Sequence, residues 1–382
     1  MTDALYSRIM KMLIEKIESG EYPLGSKLPT ESELSEECYV SRITSRRALN
    51  ELAQIGYVVR KRRTGTFVTR TTASNINYTI NGERMAEGKA PGVIGLIFPF
   101  NAASYDGQEF LNGVLDVTNK HRYYTIVQNS LSNYQTERAI IERYTTDRLN
   151  GIIYYPINSN SNFIPLAHLA SIGYPIVTID KTMDGLNLPS VVSDNTRGFY
   201  GITKHIIQAG HRNIGIFSDT AIDSASSLRD RFEGFLSALA EYSIPFNPRH
   251  VFTPKQIVYD KPDFVPPDYM QKRNKLYMKN IDSFMSDGVT AIQCMSDGTV
   301  HQLLSACEYL KVKIPRDLSV SGFDGWPETT TLKFTTVKQD LYEMGRQAAE
   351  LIIEKIDNPG TPARQVVTPS QMLYKNSIKD IS

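Results

Sequence analysis

The sequence predicts an α/β protein in two parts, an N-terminal winged helix-turn-helix and a larger, two-lobed, doubly wound α/β domain. Two observations support this prediction. Residues 5–69 show three helical patterns and a basic hairpin, and from residue 92 short apolar strands alternate with helical segments. We therefore expect a winged-helix domain at 1–70, a linker at 71–91 and the two-lobed domain at 92–382.

The chain of 382 residues has a formal net charge of only +1, but its charge is unevenly distributed. Residues 1–70 hold 12 Lys and Arg against 9 Asp and Glu, and within 40–63 seven basic residues accompany the single acid Glu51. A local basic segment on a near-neutral chain is typical of a small module that binds a polyanion.

Composition and motifs argue against several classes of protein. The three cysteines are odd in number and far apart, which disfavours a disulfide framework and fits a reducing compartment. No apolar run reaches the length of a membrane span and no signal peptide is evident, so we expect a cytoplasmic protein. Because no metal-binding or catalytic pattern stands out, we expect no enzyme, no metal and no cofactor.

The first 70 residues follow the order of a winged helix-turn-helix. Thr30 and Glu33 form a capping box, which starts a second helix near Glu31, and Ser41 caps a third. In this fold the third helix enters the major groove of DNA, and the wing contacts phosphates or the minor groove. The predicted elements are helices at Leu5–Ile17, Glu31–Glu37 and Arg42–Gln54 and strands at Tyr57–Arg60 and Thr66–Thr69.

Basic side chains concentrate where this fold meets DNA. Three arginines lie in the first half of the third helix, and arginine can donate two hydrogen bonds to guanine. For each arginine alone the alternative is a solvated helix face. Glu31 is equally consistent with helix capping and with positioning a DNA-contacting arginine. The candidate DNA-binding residues are Glu31, Ser41, Arg42, Thr44, Arg46, Arg47, Lys61, Arg62, Arg63 and Gly65.

Residues 5–69, with Leu24-Gly25-Ser26-Lys27-Leu28-Pro29-Thr30-Glu31 and Gly65-Thr66-Phe67-Val68, closely resemble the gluconate-repressor (GntR) family of bacterial transcription regulators. The resemblance implies that Glu31, Arg42, Arg46 and the wing around Gly65 contact DNA. Arg63 stands where the family usually has a glycine, so the tip of the wing departs from the family pattern.

From Gly92 onward, buried strands alternate with helices, which predicts parallel sheets in two successive lobes. Ligands of such folds bind at the carboxyl ends of the strands. We predict strands at Val93–Phe98, Tyr124–Gln128, Gly151–Tyr155, Ile176–Ile179, Ile214–Phe217, Ala291–Cys294 and Ser319–Gly322, with a last helix at Leu341–Ile356 in the second lobe.

Carboxylates, a lysine and aromatic rings follow these strands. The combination suits carbohydrate recognition, because charged groups bind hydroxyls and flat rings cover C–H faces. The alternative is that such aspartates only cap the next helix or make turns, and Asp297 is the clearest example. The candidates at the strand ends are Phe98, Tyr105, Tyr155, Asp180, Lys181, Ser296, Asp324 and Trp326.

A second resemblance covers about Gly92–Leu373. Arg229-Asp230-Arg231-Phe232-Glu233-Gly234-Phe235 and Val320-Ser321-Gly322-Phe323-Asp324-Gly325 are similar to segments of the effector domain of lactose/galactose-repressor proteins and of periplasmic sugar-binding proteins. The resemblance implies an effector held by Asp180, Lys181, Arg229, Asp324 and Gln339, with Ser296 where the family usually has Asn. Residues 253–275 exceed the family's usual connection and are predicted to form an exposed loop.

Together the two resemblances imply a regulator of the arabinose repressor class. Such a protein would be a homodimer that binds double-stranded operator DNA and releases it when arabinose or another neutral monosaccharide enters the cleft. Two alternatives stay open. One is an activator, or a regulator that senses a nucleoside or sugar phosphate, and the other is a sugar-binding transport or chemoreceptor component.

Overall fold

The computed structural model describes residues 5–23, 25–54, 57–61, 64–68, 79–80, 83–84, 91–253, 269–326 and 333–382. The chain forms two compact units, unit 1 (Met1–Pro91) and unit 2 (Gly92–Ser382). The described part of the chain contains no helix that is both long and apolar enough to span a membrane.

Unit 1 is a three-helix domain with a two-stranded wing. Thr30 Oγ1 accepts a hydrogen bond from the backbone N–H of Glu33, and the Glu33 carboxylate accepts one from Thr30, so the predicted capping box is present. Apolar residues from all three helices and the wing form one core. The elements are α1 (Leu5–Glu18), α2 (Glu31–Glu37), α3 (Arg42–Gln54), β1 (Val58–Lys61) and β2 (Gly65–Val68).

Two further strands, β3 (Thr79–Ile80) and β4 (Glu83–Arg84), pair with each other inside the segment predicted as a linker. Most of that segment lies outside the described residues.

Unit 2 has the predicted doubly wound α/β architecture. Its elements are β5 (Gly92–Phe98), α4 (Tyr105–Lys120), β6 (Tyr123–Asn129), α5 (Tyr134–Thr146), β7 (Gly151–Tyr154), α6 (Phe163–Ser171), β8 (Ile176–Ile179), β9 (Ser190–Ser193), α7 (Asn195–Gln208), β10 (Ile214–Phe217), α8 (Ser226–Glu241), β11 (Val251–Phe252), α9 (Tyr269–Ser286), β12 (Ala291–Cys294), α10 (Asp297–Leu310), β13 (Ser319–Ser321), β14 (Thr336–Gln339), α11 (Leu341–Asp357), β15 (Gln365–Thr368) and β16 (Ser370–Leu373).

Each lobe of unit 2 is built on a parallel sheet. Within the described residues the first lobe has six strands in the order β15-β9-β8-β7-β5-β6, and the second has four in the order β11-β10-β12-β13. Strands β14 and β16 form a separate antiparallel pair beside the second lobe. Strands β7, β8, β10 and β12 are buried along their whole length, as expected for the central strands of sheets covered by helices on both sides.

The prediction of two successive lobes is wrong for the C-terminal region. Helix α11 packs against α4, and β15 pairs with β9, so both complete the first lobe. The two helices touch through their backbones, since a Cβ placed on Gly113 would lie 2.0 Å from the carbonyl oxygen of Tyr342. Hydrophobic periodicity identifies a helix but does not say which lobe it joins. Within the residues that the structure describes, the chain passes from one lobe to the other at 193–195, 339–341 and 368–370.

The prediction of an exposed loop over 253–275 is also wrong in its last part. Helix α9 begins at Tyr269, and its Tyr277 is buried beside Phe217 in the core of the second lobe. Residues 254–268 lie outside the described residues. The prolines of that stretch favoured a loop, but they end at Pro267, before the helix begins.

Candidate functional site

The N-terminal half of α3 presents arginines on the surface of unit 1. Ser41 Oγ accepts a hydrogen bond from Thr44 N at 3.2 Å and caps the helix, so both predicted residues stabilise its first turn. Arg46 keeps 64% of its side chain exposed, and Arg42 donates a hydrogen bond to Ser32 on α2. The arginines are therefore accessible, and the preceding helix restrains them.

Glu31 on α2 is the centre of this network. Its carboxylate accepts a hydrogen bond from Arg46 Nε at 3.1 Å and another from Arg60 on strand β1. Burial alone would raise the pKa of Glu31, but the two arginines outweigh it and the pKa lies below its usual value. Because Glu33 completes the capping box, the structure favours a role for Glu31 in positioning arginines.

Arg47 points in a different direction from the other two arginines of α3. Its guanidinium lies 4.0 Å from the centre of the Tyr6 ring and its Nε is 3.9 Å from Glu51. These contacts tie it to α1 and to its own helix. Arg60, by contrast, was not predicted as a site residue, although it lies in the basic segment and reaches Glu31.

The wing is described only in part. Lys61 ends β1, and Arg62 and Arg63 lie outside the described residues. Gly65 has a φ of +133°, a backbone conformation that favours glycine, and a Cβ there would lie 2.5 Å from Lys27 Cε. The wing therefore requires glycine at the first residue of its second strand.

In unit 2, a cavity of about 320 Å³ lies between the two lobes at the carboxyl ends of their strands. It contains six of the ten predicted effector-binding residues, which are Tyr155, Asp180, Lys181, Ser296, Asp324 and Gln339. Additional charged residues on its wall are Asp106, Asp219 and Arg231. No group of His, Cys, Asp and Glu in the described regions is arranged to hold a metal ion.

Arg231 is the cation at the centre of this cavity. Its side chain is only 5% exposed, and its guanidinium donates to Asn195 Oδ1 at 2.8 Å and to the carbonyl oxygen of Met295 at 2.5 Å. Nη1 of Arg231 lies 3.4 Å from Asp324 Oδ1, and Cζ of Arg231 lies 3.8 Å from the centre of the Phe323 ring. These contacts hold the guanidinium in one orientation inside the second lobe.

The prediction that Arg229 binds the effector is not supported by its position. Arg229 lies outside the cavity, half-exposed, and pairs with Asp184 at 2.5 Å and with the carbonyl of Asp223 at 2.7 Å. Helical periodicity explains the difference, because Arg231 shares the buried face of α8 with Gly234, whereas Arg229 does not. The helical spacing between Arg231 and the other inward-facing residues of α8 was the signal that could have identified it.

Two carboxylates of the cavity have contrasting environments. Burial would raise the pKa of Asp180, but Lys181 and Arg231 outweigh it and the pKa lies below its usual value. Burial raises the pKa of Asp324 well above its usual range, although Arg231 opposes the rise. Both aspartates have positive φ, +65° and +127°, a strained conformation that is common at binding sites.

Two further carboxylates of the cavity were not predicted from the sequence. Asp106 lies in the first turn of α4, and burial raises its pKa to about 6 even though Trp326 donates a hydrogen bond to it at 2.8 Å. Asp219 follows β10 and accepts hydrogen bonds from Tyr277, from Arg273 at 2.8 Å and from Thr299 at 3.1 Å. Four carboxylates on the wall of the cavity therefore exceed the two cations, Lys181 and Arg231.

Three aromatic residues predicted for the site do not line the cavity. Phe98 is fully buried in the core of the first lobe because its strand directs the side chain inward. The centres of the Phe98 and Phe110 rings lie 5.8 Å apart. Tyr105 is 39% exposed at the start of α4, and the next residue, Asp106, reaches the cavity instead. Trp326 is not among the residues that line the cavity, although its indole N–H donates a hydrogen bond to Asp106.

Asp297 has a structural role other than the cap that its position suggested. The cap of α10 is Ser296, whose hydroxyl accepts a hydrogen bond from Thr299 N at 3.1 Å. The buried carboxylate of Asp297 accepts from the backbone N–H groups of Gly325 and Trp326, each at 2.8 Å, and from Thr336 Oγ1 at 2.6 Å. It therefore holds the turn that follows Asp324.

Comparisons with known proteins match both units. Residues 5–68 match the gntR family of bacterial regulatory proteins, and residues 203–378 match the periplasmic binding protein-like domain. An arabinose metabolism transcriptional repressor of Halalkalibacterium halodurans is 27% identical, with 92% of this chain and 89% of that protein covered. A protein of the same name from Geobacillus stearothermophilus is 25% identical, with 98% of each chain covered.

A solved structure supports the fold of unit 2. A LacI family transcriptional regulator from Enterococcus faecium with bound ribose is 22% identical, covers 76% of this chain and 100% of its own, and has a TM-score of 0.60. The two resemblances and the fold class predicted from the sequence are thereby confirmed. The chain joins a GntR-family helix-turn-helix domain to a periplasmic binding protein-like domain.

Proposed function

We propose that this chain is a one-component transcriptional repressor in which unit 1 binds operator DNA and the cleft of unit 2 binds a small neutral sugar. The observation that supports it most strongly is the cavity of about 320 Å³ whose polar groups come from both lobes. A sugar that bridges Asp180 of the first lobe and Arg231 of the second stabilises the closed cleft. Closure then changes the affinity for DNA by a coupling free energy of about 1–3 kcal/mol.

The charge of the cavity selects the class of sugar. Four carboxylates against Lys181 and Arg231 disfavour a phosphate or a sugar acid, because a like charge in a buried site is costly. A neutral sugar instead offers hydroxyls that both donate and accept. Because two relatives are named arabinose metabolism repressors, L-arabinose is the first compound to test.

The DNA-binding surface consists of Arg42 and Arg46 on α3 together with the wing. We expect Arg46 to contact a base in the major groove, with Glu31 fixing its direction. One such module carries a small net positive charge, so we expect a homodimer that reads two half-sites of a pseudo-palindromic operator. A protein with this role acts in the cytoplasm, where the DNA is.

The DNA arm of the test uses the full chain. Binding sites are selected from a random duplex library and affinity is measured by fluorescence anisotropy at fixed salt. Arg46→Ala is expected to weaken specific binding roughly 5- to 150-fold, the equivalent of about 1–3 kcal/mol. Arg8→Ala, which removes the same charge from an exposed position on α1, is the matched control and is expected to bind as the parent does. An equal loss of DNA affinity in both variants would show that Arg46 is not part of the surface that recognises DNA.

The sugar arm uses isothermal titration calorimetry with L-arabinose, D-ribose, D-xylose, D-galacturonate and D-ribose 5-phosphate. We expect a neutral pentose to bind and to lower the affinity for the selected DNA. A saturating sugar that leaves DNA affinity unchanged would refute the proposed regulation. Sugar binding by a protein that selects no DNA would instead favour a transport or chemoreceptor component. Sedimentation equilibrium tests the dimer.

A further inference from the structure

The exposed face of α3 carries an isoleucine that folding alone does not explain. Ile43 is the second residue of the helix and is 78% exposed, the highest value for any large aliphatic side chain among the described residues. Leu52, nine residues further on and therefore on the opposite face of the helix, is fully buried in the core of unit 1. A β-branched residue also favours a helix less than alanine does. Ile43 therefore contributes little to the core and nothing to the intrinsic stability of the helix.

The surroundings of Ile43 are cationic. Arg46 and Arg47 lie three and four residues further along the same face of α3, and their side chains are 64% and 61% exposed. Arg42 precedes Ile43 directly, and the only acid within 40–63 is Glu51. An aliphatic group among cations complements a partner that is polyanionic and also presents an apolar group, which an apolar protein surface does not.

Double-stranded DNA has this combination of groups in its major groove. Phosphates line the groove, and the base edges inside it present hydrogen-bond donors and acceptors together with one methyl group, the C5-methyl group of thymine. The side chain of an isoleucine has no group that donates or accepts a hydrogen bond, so the methyl group is the feature of a base edge that it can recognise. Because Ile43 shares a helix face with Arg46, it enters the groove together with that arginine.

We propose that Ile43 determines part of the DNA sequence that this protein recognises, by packing against the methyl group of a thymine. The inference rests on the proposed function, since it concerns the same helix. Residues three apart on a helix have Cβ atoms about 5–6 Å apart, and successive nucleotides of one strand rise by about 3.4 Å. The thymine therefore lies one or two base pairs from the base that Arg46 contacts, in each half-site of the operator.

Deoxyuridine tests the methyl group alone, because it differs from thymidine only at C5. The probes are duplexes that the full chain selects from a random library, each prepared with one thymine replaced by deoxyuridine. Affinity is measured by fluorescence anisotropy at fixed salt. We expect one replacement, at the position next to the contact of Arg46, to weaken binding by the parent roughly fourfold, as expected for the burial of one methyl group.

Ile43→Ala shortens the side chain without disturbing the helix. We expect the variant to bind the selected duplex at least fourfold more weakly and to show no penalty for deoxyuridine at that one position, while the penalties at other thymines persist. A second selection with the variant should lose the preference for thymine at that position only. Its melting temperature should be no lower than that of the parent, because alanine favours a helix more than isoleucine does.

Ile164→Ala is the matched control. Ile164 is also the second residue of its helix, α6 in unit 2, and it is 76% exposed. The substitution removes the same atoms from a comparable position far along the chain from α3. We expect this variant to keep the affinity of the parent for the selected duplex and every deoxyuridine penalty that the parent shows.

Each outcome supports or overturns the inference. If the parent selects DNA but shows no deoxyuridine penalty, or if Ile43→Ala keeps every penalty of the parent, the inference is wrong and the proposed function stands. A loss of affinity in Ile43→Ala that is equal for selected and unrelated duplexes also overturns it, because such a loss carries no sequence information. A parent that selects no DNA sequence overturns the proposed function and this inference together.

Discussion

Arginines 229 and 231 lie two residues apart on α8 and provide a matched pair for one experiment. Arg231→Met keeps the stem of the side chain but removes the guanidinium from the cavity, and Arg229→Met does the same on the outer face of the helix. We expect the first substitution to abolish measurable sugar binding and to destabilise unit 2. We expect the second to leave sugar binding close to that of the parent.

The expected loss of stability in each variant follows from how deeply its ion pair, Arg231–Asp324 or Arg229–Asp184, is buried. Loss of the Arg231 guanidinium removes its hydrogen bonds to Asn195 and to the carbonyl of Met295, and it leaves Asp324 without its cation. The charged side chains of this pair are only 5% and 14% exposed. Breaking a buried pair of this kind costs about 3–5 kcal/mol. The Arg229–Asp184 pair is 36% and 48% exposed, and such pairs contribute about 0.2–1 kcal/mol.

The assay is urea unfolding of the full chain, followed by the fluorescence of Trp326, together with calorimetry using L-arabinose. Arg231→Lys serves as a variant that is expected to fold, because it keeps the charge but cannot make the forked contacts. It should bind the sugar at least about tenfold more weakly than the parent. If Arg229→Met loses the sugar while Arg231→Met and Arg231→Lys retain it, the assignment of the central cation is wrong.

Three further predictions concern single residues in the two units. Glu31→Ala releases Arg46 and Arg60 from their shared carboxylate, so anisotropy should show weaker specific DNA binding with an unchanged affinity for L-arabinose; tighter binding would show that Glu31 restrains the arginines away from DNA. Gly65→Ala forces a side chain into a φ of +133° and should cost unit 1 about 1–2 kcal/mol, measured as a lower melting temperature; an unchanged melting temperature would contradict the strain. Because burial raises the pKa of Asp106 to about 6, its protonated form contributes stability that is fully present below about pH 4, and this contribution should be lost as pH rises from about 4 to about 6. The melting temperature of Asp106→Asn should therefore rise relative to that of the parent over this window, while Asp297 and Asp324, whose pKa values are also raised, contribute to both proteins. A difference in melting temperature that does not change with pH would contradict the raised pKa of Asp106.

Local sequence signals were sufficient for much of the fold. The capping box at Thr30 and the apolar runs of β5, β7, β8, β10 and β12 produce elements close to their predicted bounds. Strand β9 was missed because Ser190–Ser193 is short and half polar, and β14 was missed because its Lys338 and Gln339 interrupt the apolar pattern. Whether such segments become strands depends on partners far along the chain, and periodicity does not contain that information.

The candidate site was predictable where the backbone alone determines it. A residue close behind a parallel strand reaches the cleft, as Asp180 does directly after β8 and Asp324 does three residues after the end of β13. For residues on helices the result depends on which face is inward, and the structure places Arg231, not Arg229, on the cavity wall. Nothing in the sequence marked Asp106 as a cavity residue, because acidic residues are common in the first turn of a helix, where they interact favourably with the helix dipole.

The three crossings between the lobes of unit 2 have a consequence for how the protein is made. The first lobe is the earlier of the two to be synthesised, yet α11 and the edge strand β15 that complete it come from 341–368. On the ribosome, the helix faces and strand edge that they cover stay open until nearly the whole chain has been translated. We therefore expect the lobe that begins first to finish folding last, with apolar surface and a strand edge open to association until then.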